Sequence, residues 1–296
     1  MPYTRRSFLQ YAALAAGAPA AAQAAPDLQV PKMKFGKFDV SRLVVGCNPF
    51  YGYGHFNNIL ASVMRDYYSQ ERVCNVLHDC NRYGINTCAY HHQGRAPQDL
   101  ALFQSEGGKM QLIVQCPDDP TAVHKALAPM AIYHHGEQTD RAFQRGDLAS
   151  VREWCKKTRE LGTMVGVGTH KPEVIALVEE QGWDVDFYAG CVYNRTRTPD
   201  EWRKALNGEL PEMPGEVYIQ SDPPRMYEVM RKTAKPCFAF KILAAGRIGG
   251  QGVEQAFRTA FESLKPTDGV FIGIFPLIKD EVKENAERVH RIAASA

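Results

Sequence analysis

Eight short apolar runs recur along this chain, and a segment with a helical pattern separates each run from the next. The runs are rich in Val, Ile, Phe and Tyr, which is typical of strands buried on both faces. They span residues 43–48, 85–92, 110–115, 130–135, 164–170, 185–194, 237–241 and 269–275. Eight strand–helix units in succession predict an α/β protein whose parallel sheet closes into a (β/α)8 barrel.

The segments between the runs carry helix boundaries and two long loops. One helix is predicted to start at Ser69 and to stop at Gly84, directly before the second run; serine and glycine are common at these two helix ends. The loops 49–69 and 194–218 are longer than a strand–helix unit requires. We expect both loops to rise over the same end of the barrel and to form a lid there.

The first 24 residues resemble an export signal. Residues 4–10 read TRRSFLQ, which is similar to the twin-arginine consensus, and an alanine-rich, mildly hydrophobic stretch follows. Ala22-Gln23-Ala24 fits an A-x-A cleavage site. The resemblance implies a signal peptide at 1–24, the twin-arginine export machinery as a partner, and a periplasmic or extracellular mature protein.

Composition indicates one ordinary domain over residues 25–296. The chain has 296 residues, 45% of them hydrophobic and 23% charged, and a barrel of this kind typically needs about 250 residues. The formal net charge is +2 and the basic residues form no stripe, which argues against a nucleic-acid partner. The mean hydropathy is −0.34. No apolar stretch after the leader approaches the roughly 18 residues of a membrane span.

The eight cysteines contain no CxxC pair. Five of them lie on or beside the apolar runs, namely Cys47, Cys88, Cys116, Cys191 and Cys237. Free cysteine is among the most buried residue types, so we predict buried thiols packed around the barrel.

Nearly every apolar run ends in a polar or ionisable residue. In barrels of this type the chemistry lies at the C-terminal ends of the strands, so these terminal residues are the candidates for function. They are Asn48, His91, His92, Gln115, His134, His135, Glu137, His170, Tyr193, Asn194 and Lys241. Of these we predict Asn48, Gln115, Tyr193 and Asn194 to bind substrate.

Three segments resemble the aldo-keto reductases. Residues 34–46 (KFGKFDVSRLVVG) look like the N-terminal hairpin and first strand of that family, and residues 83–87 (YGINT) look like its second strand. Residues 273–277 (GIFPL) and 284–286 (ENA) are similar to its last strand and the helix beside its nucleotide site. The resemblance covers most of the mature chain and implies the barrel fold.

The catalytic set of that family does not carry over to this sequence. Its Asp, Tyr and Lys positions fall near Ala89, near Gly94 and at Gln115, and only the fourth-strand histidine is matched, by His134 or His135. A conventional NADPH reductase would therefore lack its general acid. The glycine-dense loop 246–252 follows the seventh run, where many barrels bind a phosphate. Either it binds a cofactor phosphate through Gly246, Arg247 and Gly249, or it is a flexible turn.

Histidines replace the missing catalytic residues. One reading is a divalent metal site built from His91, His92, His135, His170 and Glu137, because imidazole and carboxylate ligands can hold such an ion with open positions. The other is metal-free acid/base chemistry by His134, His135, His170 and Lys241, in which Lys241 is an electrostatic partner or an imine-forming amine. His91-His92 and His134-His135 are two histidine doublets. Adjacent strand residues point to opposite sides, so one histidine of each doublet is expected to face the helices.

These observations predict an enzyme with a histidine-rich site that acts on a small polar, sugar-like carbonyl or polyol substrate. We expect a lyase, an isomerase or a hydrolase. One alternative is a divergent NADP-dependent oxidoreductase, which would need an arginine such as Arg247 or Arg288 for the nucleotide. A further alternative is a non-catalytic binding protein on a degenerate barrel. Fold alone separates none of these.

Overall fold

The computed structural model describes residues 28–208 and 216–294. The predicted signal peptide at 1–24 lies outside these residues. Within them no helix combines the length and the apolar character that crossing a membrane would take.

Eight parallel strands in the described ranges close into a barrel, as the sequence predicted. A short antiparallel hairpin precedes them, formed by β1 (Lys32–Phe35) and β2 (Phe38–Ser41). The barrel strands are β3 (Leu43–Gly46), β4 (Thr87–Tyr90), β5 (Gln111–Cys116), β6 (Ala131–His134), β7 (Met164–Thr169), β8 (Phe187–Cys191), β9 (Cys237–Phe240) and β10 (Gly269–Gly273). Each strand pairs with the next in sequence, and β10 closes the ring against β3. Each predicted apolar run therefore coincides with one barrel strand, and β5 alone among these strands extends past its run, by Cys116.

Helices surround the barrel and connect its strands. They are α1 (Asn58–Tyr67), α2 (Gln70–Arg82), α3 (Ala96–Ser105), α4 (Pro120–Leu127), α5 (Gly136–Gln144), α6 (Leu148–Glu160), α7 (Pro172–Glu180), α8 (Pro199–Ala205), α9 (Asp222–Lys232), α10 (Gln251–Ser263) and α11 (Glu281–Ala294). The predicted helix start at Ser69 is confirmed, because the Ser69 side chain accepts a hydrogen bond from the backbone N–H of Arg72. Pro120, Pro172 and Pro199 each stand at a first helical position, where their missing N–H costs nothing.

The N-terminal hairpin closes one end of the barrel. Phe35 is fully buried, and its ring contacts the rings of Phe187 and Phe238 edge-on, at centroid distances of 5.1 and 5.3 Å. These side chains belong to a core inside the barrel that also contains Val44 and Ile113. The strand ends at this side are thereby filled with hydrocarbon, so the opposite, C-terminal ends remain for a polar site.

All eight cysteines lie in the described part of the chain, and all are buried and free. Burial raises the pKa of the Cys47, Cys155 and Cys191 thiols, to about 12, 12 and 11. The prediction of buried thiols is confirmed.

We predict that Phe35→Ala lowers the free energy of unfolding by about 3–5 kcal/mol, because it leaves a cavity beside the rings of Phe187 and Phe238. Urea denaturation followed by circular dichroism measures this change. Phe38→Ala, at the half-buried neighbouring strand of the hairpin, is the matched control and should cost less. Equal losses for the two variants would mean that the Phe35 ring is not what stabilises this end of the barrel.

Candidate functional site

The two long loops meet over the C-terminal mouth of the barrel. His55 of the loop after β3 donates a hydrogen bond from Nδ1 to Oε1 of Glu216, in the loop after β8, at 2.7 Å. Arg247, from the loop after β9, donates to the carbonyl oxygens of His55 and Phe56 at 3.1 Å each. Its guanidinium also lies over the rings of Phe56 and Tyr218. Three loops are thus joined above the strand ends.

His170 follows β7 and is held by a buried carboxylate. Its Nδ1 lies 2.7 Å from Oδ2 of Asp140, and the same oxygen accepts its backbone N–H at 3.0 Å. Asp140 also accepts hydrogen bonds from the hydroxyls of Thr169 and Thr196. Gly136 allows α5 to approach this closely, because a Cβ there would stand 3.3 Å from Cε1 of His170. The imidazole therefore has one orientation.

The tautomer of His170 follows from its neighbours. Asp140 accepts from Nδ1, while Arg195 places an N–H group 3.4 Å from Nε2. An arginine cannot accept a proton, so Nε2 must carry the lone pair. Burial lowers the pKa of His170 and the Arg195 and Lys241 charges add to this, although hydrogen bonding to Asp140 opposes the shift. A neutral, oriented imidazole of this kind can act as a general base.

Lys241 directly follows β9 and adopts a left-handed backbone conformation with φ 62°. A non-glycine residue in that region costs on the order of 1–3 kcal/mol, and such residues cluster at functional sites. Burial lowers the pKa of Lys241 to about 7, and the charges of Arg195 and Arg247 add to this effect. A large fraction of the amine is therefore neutral near pH 7, which makes it a nucleophile.

The ion partner of Lys241 is Glu216. Nζ of Lys241 lies 3.5 Å from Oε2 of Glu216. Glu216 also contacts the Arg195 guanidinium and accepts a hydrogen bond from the Tyr218 hydroxyl at 2.5 Å. One carboxylate from the loop after β8 thus has four donors around it at the barrel mouth.

His134 ends β6 and His135 directly follows it, and the two side chains point to opposite sides, as alternation along a strand requires. The ring of His134 packs against Trp154 of α6, and its Nδ1 lies 2.7 Å from the Thr139 hydroxyl. His134, predicted to be catalytic, is thereby placed on the helix side of the strand, with burial lowering its pKa to about 4. His135 lies on the other side, near His170, which contributes after burial to lowering its pKa. Among the described residues, the buried Nδ1 of His135 has no hydrogen-bonding partner.

The doublet after β4 has different surroundings. His91 is flanked by the rings of Tyr51 and Tyr53, each 5.3 Å away between centroids. Its Nδ1 is 3.5 Å from Sγ of Cys47, and burial lowers its pKa to about 4. His92 lies beside Tyr90, at 6.2 Å between centroids. Neither histidine contacts His170 or Lys241.

The structure does not bring the five predicted metal ligands together. Within residues 28–208 and 216–294, no group of three or more His, Cys, Asp or Glu side chains could hold a metal ion. Nε2 of His170 faces the Arg195 cation, which opposes binding of a second cation, and Glu137 pairs with Arg141 at 2.5 Å. These five side chains therefore do not fit a divalent metal ion.

The predicted substrate-binding residues lie on or just after three barrel strands: Asn48 after β3, Gln115 on β5, and Tyr193 and Asn194 after β8. Gln115 accepts a hydrogen bond from the Tyr133 hydroxyl at 3.4 Å, and Asn48 begins the short turn after β3. Tyr193 packs against Tyr218. The Asn194 side chain accepts from the backbone N–H of Thr196 at 3.3 Å. Asn194 therefore shapes the start of the loop after β8.

The glycine-dense loop after β9 is a tight turn. Gly246 has φ 88° and ends the turn Ala244–Gly246, and a Cβ at Gly249 would meet open space. Arg247, predicted as a nucleotide ligand, is engaged by the carbonyls and rings described above, and Arg288 pairs with Glu284 at 2.9 Å. Nicotinamide-nucleotide binding stays a prediction of the sequence.

Sequence reasoning missed the residues that complete the site. Asp140, His55 and Glu216 were not among the candidates, because each lies in a helix or a loop and not at a strand end. Asp140 is completely buried on α5, and a fully buried carboxylate needs partners, but this burial is visible only in the structure. Nothing in the loop sequence marks Glu216.

No model of a protein family matches the chain, and no curated protein matches it in sequence. Solved structures do resemble it. A truncated 3-deoxy-D-arabino-heptulosonate 7-phosphate synthase from Thermotoga maritima has a TM-score of 0.54 at 12% identity, over 90% of this chain and 92% of that chain. The phospho-2-dehydro-3-deoxyheptonate aldolase of the same organism has a TM-score of 0.51 at 12% identity, over 90% of this chain and 73% of that chain.

A third solved structure is an aldo-keto reductase, the glycerol dehydrogenase of Gluconobacter oxydans. Its TM-score is 0.47 at 10% identity, over 87% of this chain and 94% of that chain. The likenesses to the two Thermotoga proteins show the fold alone, a (β/α)8 barrel.

Proposed function

We propose that this protein is an enzyme that forms an imine between Lys241 and a small polar carbonyl compound. The observation that carries the proposal is Lys241 itself: its buried amine lies at a barrel strand end, 3.5 Å from Glu216, its pKa is lowered to about 7, and its charge acts on the oriented imidazole of His170. A neutral amine in such a site is the reactive form for imine chemistry. The sugar-like substrate class expected from the sequence belongs to this proposal.

The first step is addition of the amine to the carbonyl. The lone pair of Lys241 Nζ forms a bond to the carbonyl carbon, and the carbonyl π electrons move to its oxygen, which takes up a proton. Loss of that oxygen as water, together with the amine proton, gives the imine. His170 supports both proton transfers once its Nε2 lone pair, which faces Arg195 at 3.4 Å, is turned over to the substrate, and Asp140 stabilises the imidazolium that forms.

The second step uses the imine as an electron sink. Either a proton leaves the carbon next to the imine carbon, or the bond from that carbon to the following carbon breaks. In both cases the electron pair left behind moves to the imine nitrogen. His135, whose Nδ1 has no partner among the described residues, is placed near His170 to bind or protonate the departing group. Reprotonation elsewhere gives an isomerase, and bond cleavage gives a lyase. Hydrolysis of the imine frees Lys241.

Borohydride trapping tests the proposal directly. We predict that dihydroxyacetone or pyruvate with sodium borohydride yields a reduced adduct on Lys241, detected by peptide mass spectrometry. Lys241→Met should lose the adduct. Lys235→Met is the matched control, since Lys235 is also partly buried and ion-paired, with Glu179 at 2.5 Å, but lies before β9. Folded protein that gives no adduct on Lys241 with any small carbonyl compound would contradict imine formation.

The trapping rate should rise with pH through about 7. Lys241 attacks only as the free base, and its pKa in the folded protein is lowered to about 7 from the usual lysine value of about 10.4. Attack is therefore suppressed below pH 6 and reaches its plateau above pH 8. Rates are measured by quenching at fixed times. A rate that still increases steeply above pH 9 would indicate an ordinary lysine.

His170 and His134 provide a matched pair of variants. We predict that His170→Asn slows exchange of the substrate α-protons with D2O by about 10²–10⁴-fold, the usual contribution of a general base. His134→Asn should keep the exchange rate and instead lose about 1–3 kcal/mol of stability, because it disturbs a buried hydrogen bond to Thr139. Proton NMR and thermal denaturation measure the two effects. Equal slowing of the exchange by both variants would show that His170 is not the general base.

A further inference from the structure

We infer that the donors around Glu216 form the binding site for a carboxylate group of the substrate, and that Glu216 itself is the internal stand-in for that group. The inference rests on the proposed function, because it names the chemical class of the carbonyl compound that reacts with Lys241. It assigns that compound to the 2-oxo acids.

The geometry of the contacts is that of a bound carboxylate. Oε1 of Glu216 accepts from Nδ1 of His55 at 2.7 Å and contacts the guanidinium of Arg195. Oε2 accepts from the Tyr218 hydroxyl at 2.5 Å and lies 3.5 Å from Nζ of Lys241. Two donors at each oxygen match the lone pairs of a planar carboxylate. The four donors therefore form a ready cradle for such a group.

Three basic side chains lie around this cradle, and Glu137 is the other carboxylate whose charge acts on Lys241 and His55. Arg195, Lys241 and Arg247 lie close enough that the two arginines depress the pKa of Lys241. His55 adds a neutral donor, because burial and the Lys241 and Arg195 charges lower its pKa to about 3. Buried cations need paired anions. If Glu216 leaves, a substrate anion must replace it, and the 22% exposure of its side chain leaves a route from solvent.

The position of Glu216 also limits the reaction. Glu216 occupies the place beside Lys241 that a substrate carboxylate would take, so it must be displaced before that carboxylate can bind. Because Nζ lies 3.5 Å from Oε2, the carbon that it attacks must be next to the bound carboxylate. This spacing points to a carbonyl group adjacent to a carboxylate.

Acetate is the probe for the cradle, because it has the carboxylate but no ketone. We measure the melting temperature against acetate concentration at constant ionic strength, with inorganic phosphate as the second anion. Glu216→Gln removes the internal competitor and should lower the half-saturating acetate concentration about tenfold. Glu228→Gln is the control for the charge change, since Glu228 pairs with Lys232 at 2.6 Å on the outside of α9.

Arg195→Met is expected to abolish the acetate response in both the wild type and Glu216→Gln. An equal acetate response in the wild type and Glu216→Gln would overturn the inference, and so would a stronger response to phosphate than to acetate. The outcome is separable from that of the proposed reaction. Acetate binding without a borohydride adduct overturns only imine formation, and an adduct without acetate binding overturns only the carboxylate assignment.

A comparison on the wild type alone applies if the Glu216 variant does not fold. Pyruvate and acetone differ by a carboxylate in place of a methyl group. Their trapping rates on Lys241 are each divided by the rate with a simple amine in solution, which removes the difference in carbonyl reactivity. The normalised trapping rate of pyruvate should exceed that of acetone at least about tenfold, the discrimination expected of a charge-paired carboxylate. Equal normalised rates would overturn the inference.

Discussion

The pairing of β10 with β3 is the constraint on which the rest of the structure depends. Residues 270–273 lie beside residues 43–46 in parallel register, from Val270 opposite Leu43 to Gly273 opposite Gly46. This contact joins the two ends of the fold and leaves no free edge in the barrel sheet. Because all eight strands are parallel, closure brings their C-terminal ends to one rim. His170 and Lys241, 71 positions apart in the chain, become neighbours for this reason.

Electrostatic balance at that rim relies on one acidic side chain from a loop. The barrel interior below is hydrocarbon, so cations at its mouth are poorly solvated and need local compensation. Glu216 supplies it for Arg195 and Lys241 at once. Asp140 plays a different part: it is fully enclosed, and its hydrogen bonds fix a ring rather than balance a cation. The site thus combines a permanent carboxylate with an exchangeable one.

The fold could be predicted from the sequence because apolar runs, helix stops and their spacing are local properties. At the candidate site, the same local signals mark only residues at strand ends. His135, His170 and Lys241 stand at strand ends, where the topology alone brings them together. Which histidine of a doublet faces the mouth depends on packing against Trp154 and Thr139, which no local pattern encodes. The partnership of His55 with Glu216 depends on how two separate loops fold, so it could not be read from either loop.

The eight buried cysteines have a consequence for how the molecule responds to damage. In the native fold they are sealed among hydrocarbon, and burial keeps them protonated, so they are poor targets for alkylation or oxidation. Any event that opens the barrel wall exposes several thiols together. If an oxidant or an alkylating agent is present when local opening, proteolysis or heat exposes these thiols, they are modified, and the modified side chains no longer fit the apolar sites they left. Reclosure of the barrel is then hindered until the modification is reversed.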